Sequence, residues 1–371
     1  MIELMKNLIR AESTAQKGEL EAAKLISSEF GRYGIPAKLQ SWDGDRANLV
    51  AHVKSTGTKP ALLFVAHSDV VPAGNIGWNY APFEPLCEAG KIYGRGAVDM
   101  KGGIAAIITA VCQIVEQGDR LRGDLIFLAS AGEETDSCGT KKFIAEFARD
   151  LPPLAGVIIP EPTNFDIVTA HRGILWLKVT TKGKTAHGST PQLGINAINS
   201  MSLLLNELQG YKIPHSPHPV LGECSMSINR IYGGSATNII PEQCTIEIDI
   251  RTLPDLGHKE IVGNLEKVLG KLGSQHKQFS AQLGLLRDIP ALETDENSPF
   301  VKAFCEATKI DRTCAVGFTT DGPHFAKLGL PVVIFGPGKP DLAHKPNEYI
   351  DLPDLEKAVD YYKRIILRFL A

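Results

Sequence analysis

The sequence predicts an α/β protein: a mostly parallel sheet with helices on both faces, carrying an inserted, smaller α+β domain. Three observations lead there. The apolar runs ALLFVA at 61–66 and DLIFLAS at 124–130 are continuous rather than alternating, as in strands covered on both faces. Such strands alternate with helical stretches, the order that builds a parallel sheet. In the middle of the chain the order becomes β-α-β-β-α-β, the split βαβ pattern of a ferredoxin-like unit. At 371 residues the chain also exceeds what one hydrophobic core usually supports. The expected division is therefore residues 1–172 with 287–371 as one discontinuous domain, and 173–286 as the insertion.

The elements follow in order. Residues 1–35 read as two helices, the second ended by Gly31 and Gly34 before Pro36. Short apolar strands follow at 48–53 and 61–66, around a turn-like segment at 55–60. The glycine-dense stretch KIYGRGAVDMKGG at 91–103 holds Asp99 before an apolar helix at 104–115. Further strands are expected at 124–130, 156–159 and 331–335, with a helix at 138–149. In the insertion, ILWLKVTTK at 174–182 partly alternates, so one face of that strand is wet. A helix at 194–208, strands at 225–231 and 245–251, a helix at 259–272 and a weak strand near 279–285 complete it.

Composition excludes several classes. The formal charge of −3 gives no basic footprint for nucleic acid. Seven scattered cysteines without a C-x-x-C read as reduced thiols in a reducing, cytoplasmic compartment. The N-terminus MIELMKNLIRAES is amphipathic and mixed in charge, so neither a signal peptide nor a membrane span is expected. Gly94–Asp99 lacks the third glycine of a dinucleotide fingerprint, and the stretch before Gly183-Lys184-Thr185 lacks a P-loop's leading glycine. With no H-E-x-x-H and no G-x-S-x-G, a helix-borne zinc protease and a serine hydrolase are disfavoured.

Polar residues converge where the strands end. ALLFVA runs into His67, Ser68 and Asp69; DLIFLAS runs into Glu133 and Glu134; GVIIP runs into Glu161; PVVIF is followed within ten residues by His344. Ligands of open α/β sheets bind outside the carboxyl ends of the strands. Two imidazoles and about five carboxylates gathered there, Asp99 included, would repel without a cation. Mixed His/carboxylate ligation suits zinc, cobalt or manganese, and the ligands suffice for two ions bridged by one carboxylate. Neighbours in an extended segment point opposite ways, so Glu133 and Glu134 can divide metal binding from proton transfer. Asp69, two residues past His67, can accept the imidazole's second N–H.

HSDVVP (67–72), GRGAVDMKGG (94–103), AGEET (131–135), PEPT (160–163) and AHKPNEY (343–349) together resemble the M20 metallopeptidase family, in that family's order. The resemblance implies a co-catalytic dimetal amidohydrolase with two divalent ions, zinc first, cobalt or manganese as substitutes. It implies that His67 and Glu161 hold one metal, Glu134 and His344 the other, and Asp99 bridges, with a cis peptide at Asp99–Met100. Asp69 would orient His67, and Glu133 would be the general base. In KGKTAHGSTPQLGINAI (182–198), His187 would support the oxyanion, often across a dimer, which makes the insertion a lid and dimerisation domain of a homodimer. GGSATNIIP (233–241) and DIRTLP (249–254) point to Asn238 and Arg251 for a substrate carboxylate. A salt-bridged strand residue is the other reading of Arg251. Thr320-Asp321-Gly322 matches a pocket motif, although Phe318 stands where a small residue is common. The implied substrate is an N-acyl amino acid, as for acetylornithine deacetylase. A dipeptide, a C-terminal glutamate peptide or succinyl-diaminopimelate is the alternative. Glu161 in place of Asp argues against the tripeptidases.

Overall fold

Residues 61–66 are each at most 1% exposed, so both faces of that strand are covered, as the unbroken apolar run requires. In the computed structural model, which describes residues 1–75 and 77–371, this strand is Lys59–His67 at the middle of a mixed sheet. The sheet runs Ala37–Trp42, Arg46–Val53, Gly123–Ser130, Lys59–His67, Leu154–Ile159, Val332–Ile334 and Ile167–His171. Lys59–His67 pairs parallel with both Gly123–Ser130 and Leu154–Ile159, and Val332–Ile334 is parallel to Leu154–Ile159. Antiparallel strands lie toward the ends of the sheet. The parallel centre means that four strand C-termini open on one side.

Contacts divide the chain into two compact units. One comprises Met1–Thr169, Thr294–Cys314 and Thr320–Ala371; the other comprises Ala170–Glu293 and Ala315–Thr319. The second unit is wider than the 173–286 segment read from the sequence, for two reasons. Its edge strand continues to Ile289 through pairing with Ile174. Ala315 packs on its core, and the Thr319 hydroxyl donates to the Arg172 carbonyl at 2.7 Å.

In the first unit the helix Gly102–Glu116 is apolar almost throughout and lies in the core against Leu352–Leu370. Taken with the turn before it, Ala97–Glu116 is long and apolar enough to cross a membrane, but 78% of its most apolar stretch is buried inside the protein, the signature of a core helix. Gly103 lets it close on the loop after Leu154–Ile159: a Cβ there would stand 2.5 Å from the Pro160 carbonyl oxygen. Gly96, at φ +84°, turns the chain into the segment that bears Asp99. A small antiparallel sheet of Leu86–Glu88, Lys91–Tyr93 and Tyr349–Asp351 flanks this turn. Sequence reasoning missed it, and the exposed edge strand Ala37–Trp42, because three-residue strands and a polar, half-exposed edge leave no periodic signal.

The second unit has the β-α-β-β-α-β order. Its antiparallel sheet runs Ser225–Gly233, Gln243–Thr252, Gly173–Lys182 and Ala281–Ile289, with helices Ala197–Gln209 and His258–Gln275. Leu175, Leu177 and Val179 alternate with wet neighbours and join Ile246, Ile248 and Ile250 beneath Met201, Leu204, Ile261 and Leu265. The other face carries Lys178, Glu247, Asp249 and Arg251, which are exposed or half-buried.

Candidate metal centre

His67 ends the central strand and is buried, at 3% exposure. Its Nε2 is 3.0 Å from Asp99 Oδ1 and 3.4 Å from Glu161 Oε1. Asp99 reaches the other way as well, with Oδ2 at 3.1 Å from His344 Nε2, which is itself 2.8 Å from Glu134 Oε1. The ligating atoms of His67, Asp99 and Glu161, and those of Asp99, Glu134 and His344, each lie within 4.8 Å of one another. One carboxylate is thus common to two three-residue groups, drawn from three strand ends and two loops. The Asp99–Met100 peptide is cis.

Charge in this cluster is strongly redistributed. Burial pushes Glu161 up to about 8, helped by the charge of Asp99. Burial also drives Glu133 well above the usual carboxylate range. For Asp99, burial works upward but is outweighed by the hydrogen bonds from His344 and His67, which hold it below that range. Hydrogen bonds to Asp99 and Glu134 lift His344 to about 10. Such a set gathers protons unless some other positive charge compensates it.

Asp69 departs from its expected role. The Nδ1 of His67 donates to the backbone carbonyl of Asp69 at 3.0 Å, whereas the Asp69 carboxylate stands 3.6 Å away. Both carboxylate oxygens are used elsewhere: Oδ1 accepts from the Glu133 amide and Oδ2 from the Glu134 amide, each at 3.1 Å. The His-x-Asp spacing does fix the imidazole, but through the main chain. The side chain instead anchors the two glutamates.

Thr320 is fully buried, and its hydroxyl accepts the Gly322 amide at 3.0 Å. Asp321 beside it accepts from the Thr140 and Ser130 hydroxyls at 2.5 and 3.3 Å. These bonds brace the turn into the helix Gly322–Ala326, and the substrate contact expected of Thr320 has no exposed surface to support it. Lys101 went unnoticed in the sequence. It is wholly buried, donates to the Leu8 carbonyl at 2.7 Å, and burial draws it down to about 7. Arg95 and Glu348 were missed as well, although both lie inside quoted motifs.

The second unit brings His187 and Asn238 together. The segments pair as a bridge between His187 and Ile239, and the Gly188 amide donates to the Asn238 carbonyl at 2.8 Å. His187 is exposed. Its Nδ1 accepts the Ser189 backbone N–H at 3.2 Å, so the neutral ring carries its proton on Nε2. The Ser189 hydroxyl lies 2.7 Å from the same Nδ1. Arg251 is not free: Nε and Nη2 donate to the two carboxylate oxygens of Asp249 at 2.9 and 3.1 Å. Positions two apart on a strand share a face, which makes this pairing natural.

Fold and side-chain set together define a class, the metal-dependent hydrolases of linear amide bonds. The chain belongs to peptidase family M20/M25/M40, which it matches over residues 63–368. A probable succinyl-diaminopimelate desuccinylase of Staphylococcus aureus (strain N315) is 28% identical over all of this chain and 97% of its own length. An acetylornithine deacetylase of Buchnera aphidicola is 29% identical over 99% and 97%. Among solved structures, an M20 family metallo-carboxypeptidase, Sso-CP2 from Sulfolobus solfataricus, superposes with a TM-score of 0.81 at 20% identity, covering 99% of this chain and 98% of that one.

Proposed function

We propose that this chain removes the acyl group from an N-acyl amino acid at a two-metal centre, in the manner of an acetylornithine deacetylase. The observation that carries the reading is Asp99, whose two carboxylate oxygens belong to separate His/carboxylate groups. The donor set fits two divalent ions: imidazole nitrogens and carboxylate oxygens without thiolate suit zinc, with cobalt or manganese as substitutes. His67 and Glu161 would hold one ion, Glu134 and His344 the other, with Asp99 between them. When bound, the ions would polarise the acyl carbonyl and acidify a water molecule.

The chain's own groups do the rest. Glu133 takes the proton from the attacking water and returns it to the departing amine; a C–O bond forms, the amide C–N bond breaks, and an acid and an amine leave. Asp69 holds the Glu133–Glu134 main chain while this happens. His187, with its proton on Nε2, is a donor for the carbonyl oxygen as charge develops there. The second unit would serve as lid and as the surface of a homodimer. What supports the latter is apolar exposure along its edge, at Ile198, Ile231, Tyr232 and Ile239. The reduced cysteines support a cytoplasmic setting.

Arg251 and Asn238 would hold the substrate's α-carboxylate, with Asp249 presenting the guanidinium. Arg251→Ala should then raise KM about tenfold or more for substrates with a free α-carboxylate, with kcat little changed. A KM within twofold of wild type would leave Arg251 as the partner of Asp249 and nothing more.

A second reading, desuccinylation, is favoured by the full-length likeness to succinyl-diaminopimelate desuccinylases. A hydrolysis panel of Nα-acetyl-ornithine, N-succinyl-diaminopimelate, other N-acetyl amino acids and C-terminal glutamate dipeptides separates the readings. Chelator-sensitive turnover of an N-acetyl amino acid well above the rest is expected. Preference for the succinyl compound would move the assignment to a desuccinylase, and turnover of dipeptides alone to a peptidase.

A further inference from the structure

Glu348 is 1% exposed, yet it lies four residues beyond His344 in a loop that contains two non-glycine residues at positive φ, His344 and Asn347. Its carboxylate is fully engaged. Oε1 accepts the backbone amides of Val98 at 2.9 Å and Asp99 at 3.2 Å, and Oε2 accepts Arg95 Nη1 at 2.6 Å. Arg95 is 2% exposed, and its Nη1 also donates to the Lys345 carbonyl at 3.3 Å. The Gly94 amide donates to the Glu348 carbonyl at 2.9 Å, and Tyr349–Asp351 continues as a strand paired with Lys91–Tyr93. The loop bearing His344 and the turn bearing Asp99 are therefore joined by one buried carboxylate.

We propose that Glu348, clamped by Arg95, is a positioning residue for the metal centre: it fixes the Asp99 main chain and ties it to the His344 loop. The inference rests on the two-metal reading above. Glu348 touches neither metal-binding side chain through its carboxylate. It acts on Asp99 through the peptide N–H, and on His344 through the loop they share. A buried carboxylate that accepts two amides and a guanidinium holds geometry more tightly than an exposed turn can. Outer partners of metal ligands commonly set affinity in this way.

The chemistry of the side chain makes the test sharp. Glutamine has one acceptor oxygen and one donor NH2, so Glu348→Gln must turn a donor toward either Arg95 or the Val98 and Asp99 amides. The full-length protein, stripped of metal and without substrate, is titrated with Zn²⁺ against a chromophoric chelator, and hydrogen exchange is followed at residues 98–99. Glu348→Gln should bind Zn²⁺ about 10–100-fold more weakly, with faster exchange at 98–99. The double variant Arg95→Met/Glu348→Met removes both charges, leaves neither unpaired, and keeps the fold should the single variant be unstable. It should show the same weakened binding while staying folded at the assay temperature, its thermal midpoint lowered by the two amides that lose their acceptor. Wild-type Zn²⁺ affinity in the folded double variant would overturn the proposal. If the unmutated protein bound no Zn²⁺, the two-metal reading itself would fall, an outcome visible before any variant is compared.

Discussion

Replacing Glu133 by glutamine should lower kcat by about 10²–10⁴-fold while both metals stay bound. Glu133 follows the strand Gly123–Ser130 and is 7% exposed. Its backbone, held by Asp69, is shared with Glu134, but only Glu134 stands against His344 at 2.8 Å. Glutamine keeps the shape and the amide bond to Asp69 and removes only the capacity to take a proton. Steady-state kinetics with metal analysis of the same preparation check the result. A kcat within tenfold of wild type would remove Glu133 as the base, and loss of metal would recast it as a ligand.

Asp99→Ala should abolish occupancy of both metal positions at once, with a loss of turnover above the roughly 100-fold that removal of an outer partner costs. The reason is geometric. Oδ1 faces His67 at 3.0 Å and Oδ2 faces His344 at 3.1 Å, and among the described residues Asp99 alone belongs to both groups. Glu161→Ala, by contrast, removes a ligand from one group only and should leave one ion per chain. Metal content of the two variants after equal dialysis distinguishes a shared carboxylate from two independent sites.

Much of this was legible in the sequence because strand ends are. His67, Glu133, Glu134 and Glu161 each follow an unbroken apolar run, and such runs identify buried parallel strands whose C-termini open together. Asp99 was legible through its glycines, since Gly96 and Gly103 permit the turn and the close helix contact that place it. What stayed hidden was the choice among competing partners. Spacing brought Asp69 near His67 but could not show that a main-chain carbonyl would take the imidazole and the two glutamate amides the carboxylate. For Arg251, spacing offered both a substrate carboxylate and a strand salt bridge, and could not show that Asp249 two residues away would pair with the guanidinium and so present it. Glu348 was invisible for a simpler reason: its partners at 95, 98 and 99 are some 250 positions away, and no local periodicity encodes such a contact.

A carboxylate shared by two metals fixes how many ions each chain holds, and that number can be counted. Chelator-stripped protein is titrated with Zn²⁺ while bound metal and hydrolysis of Nα-acetyl-ornithine and N-succinyl-diaminopimelate are followed together. Binding should saturate at two ions per chain, and activity should return with them. Saturation at a single ion, or hydrolysis that survives complete removal of metal, would contradict the two-metal reading.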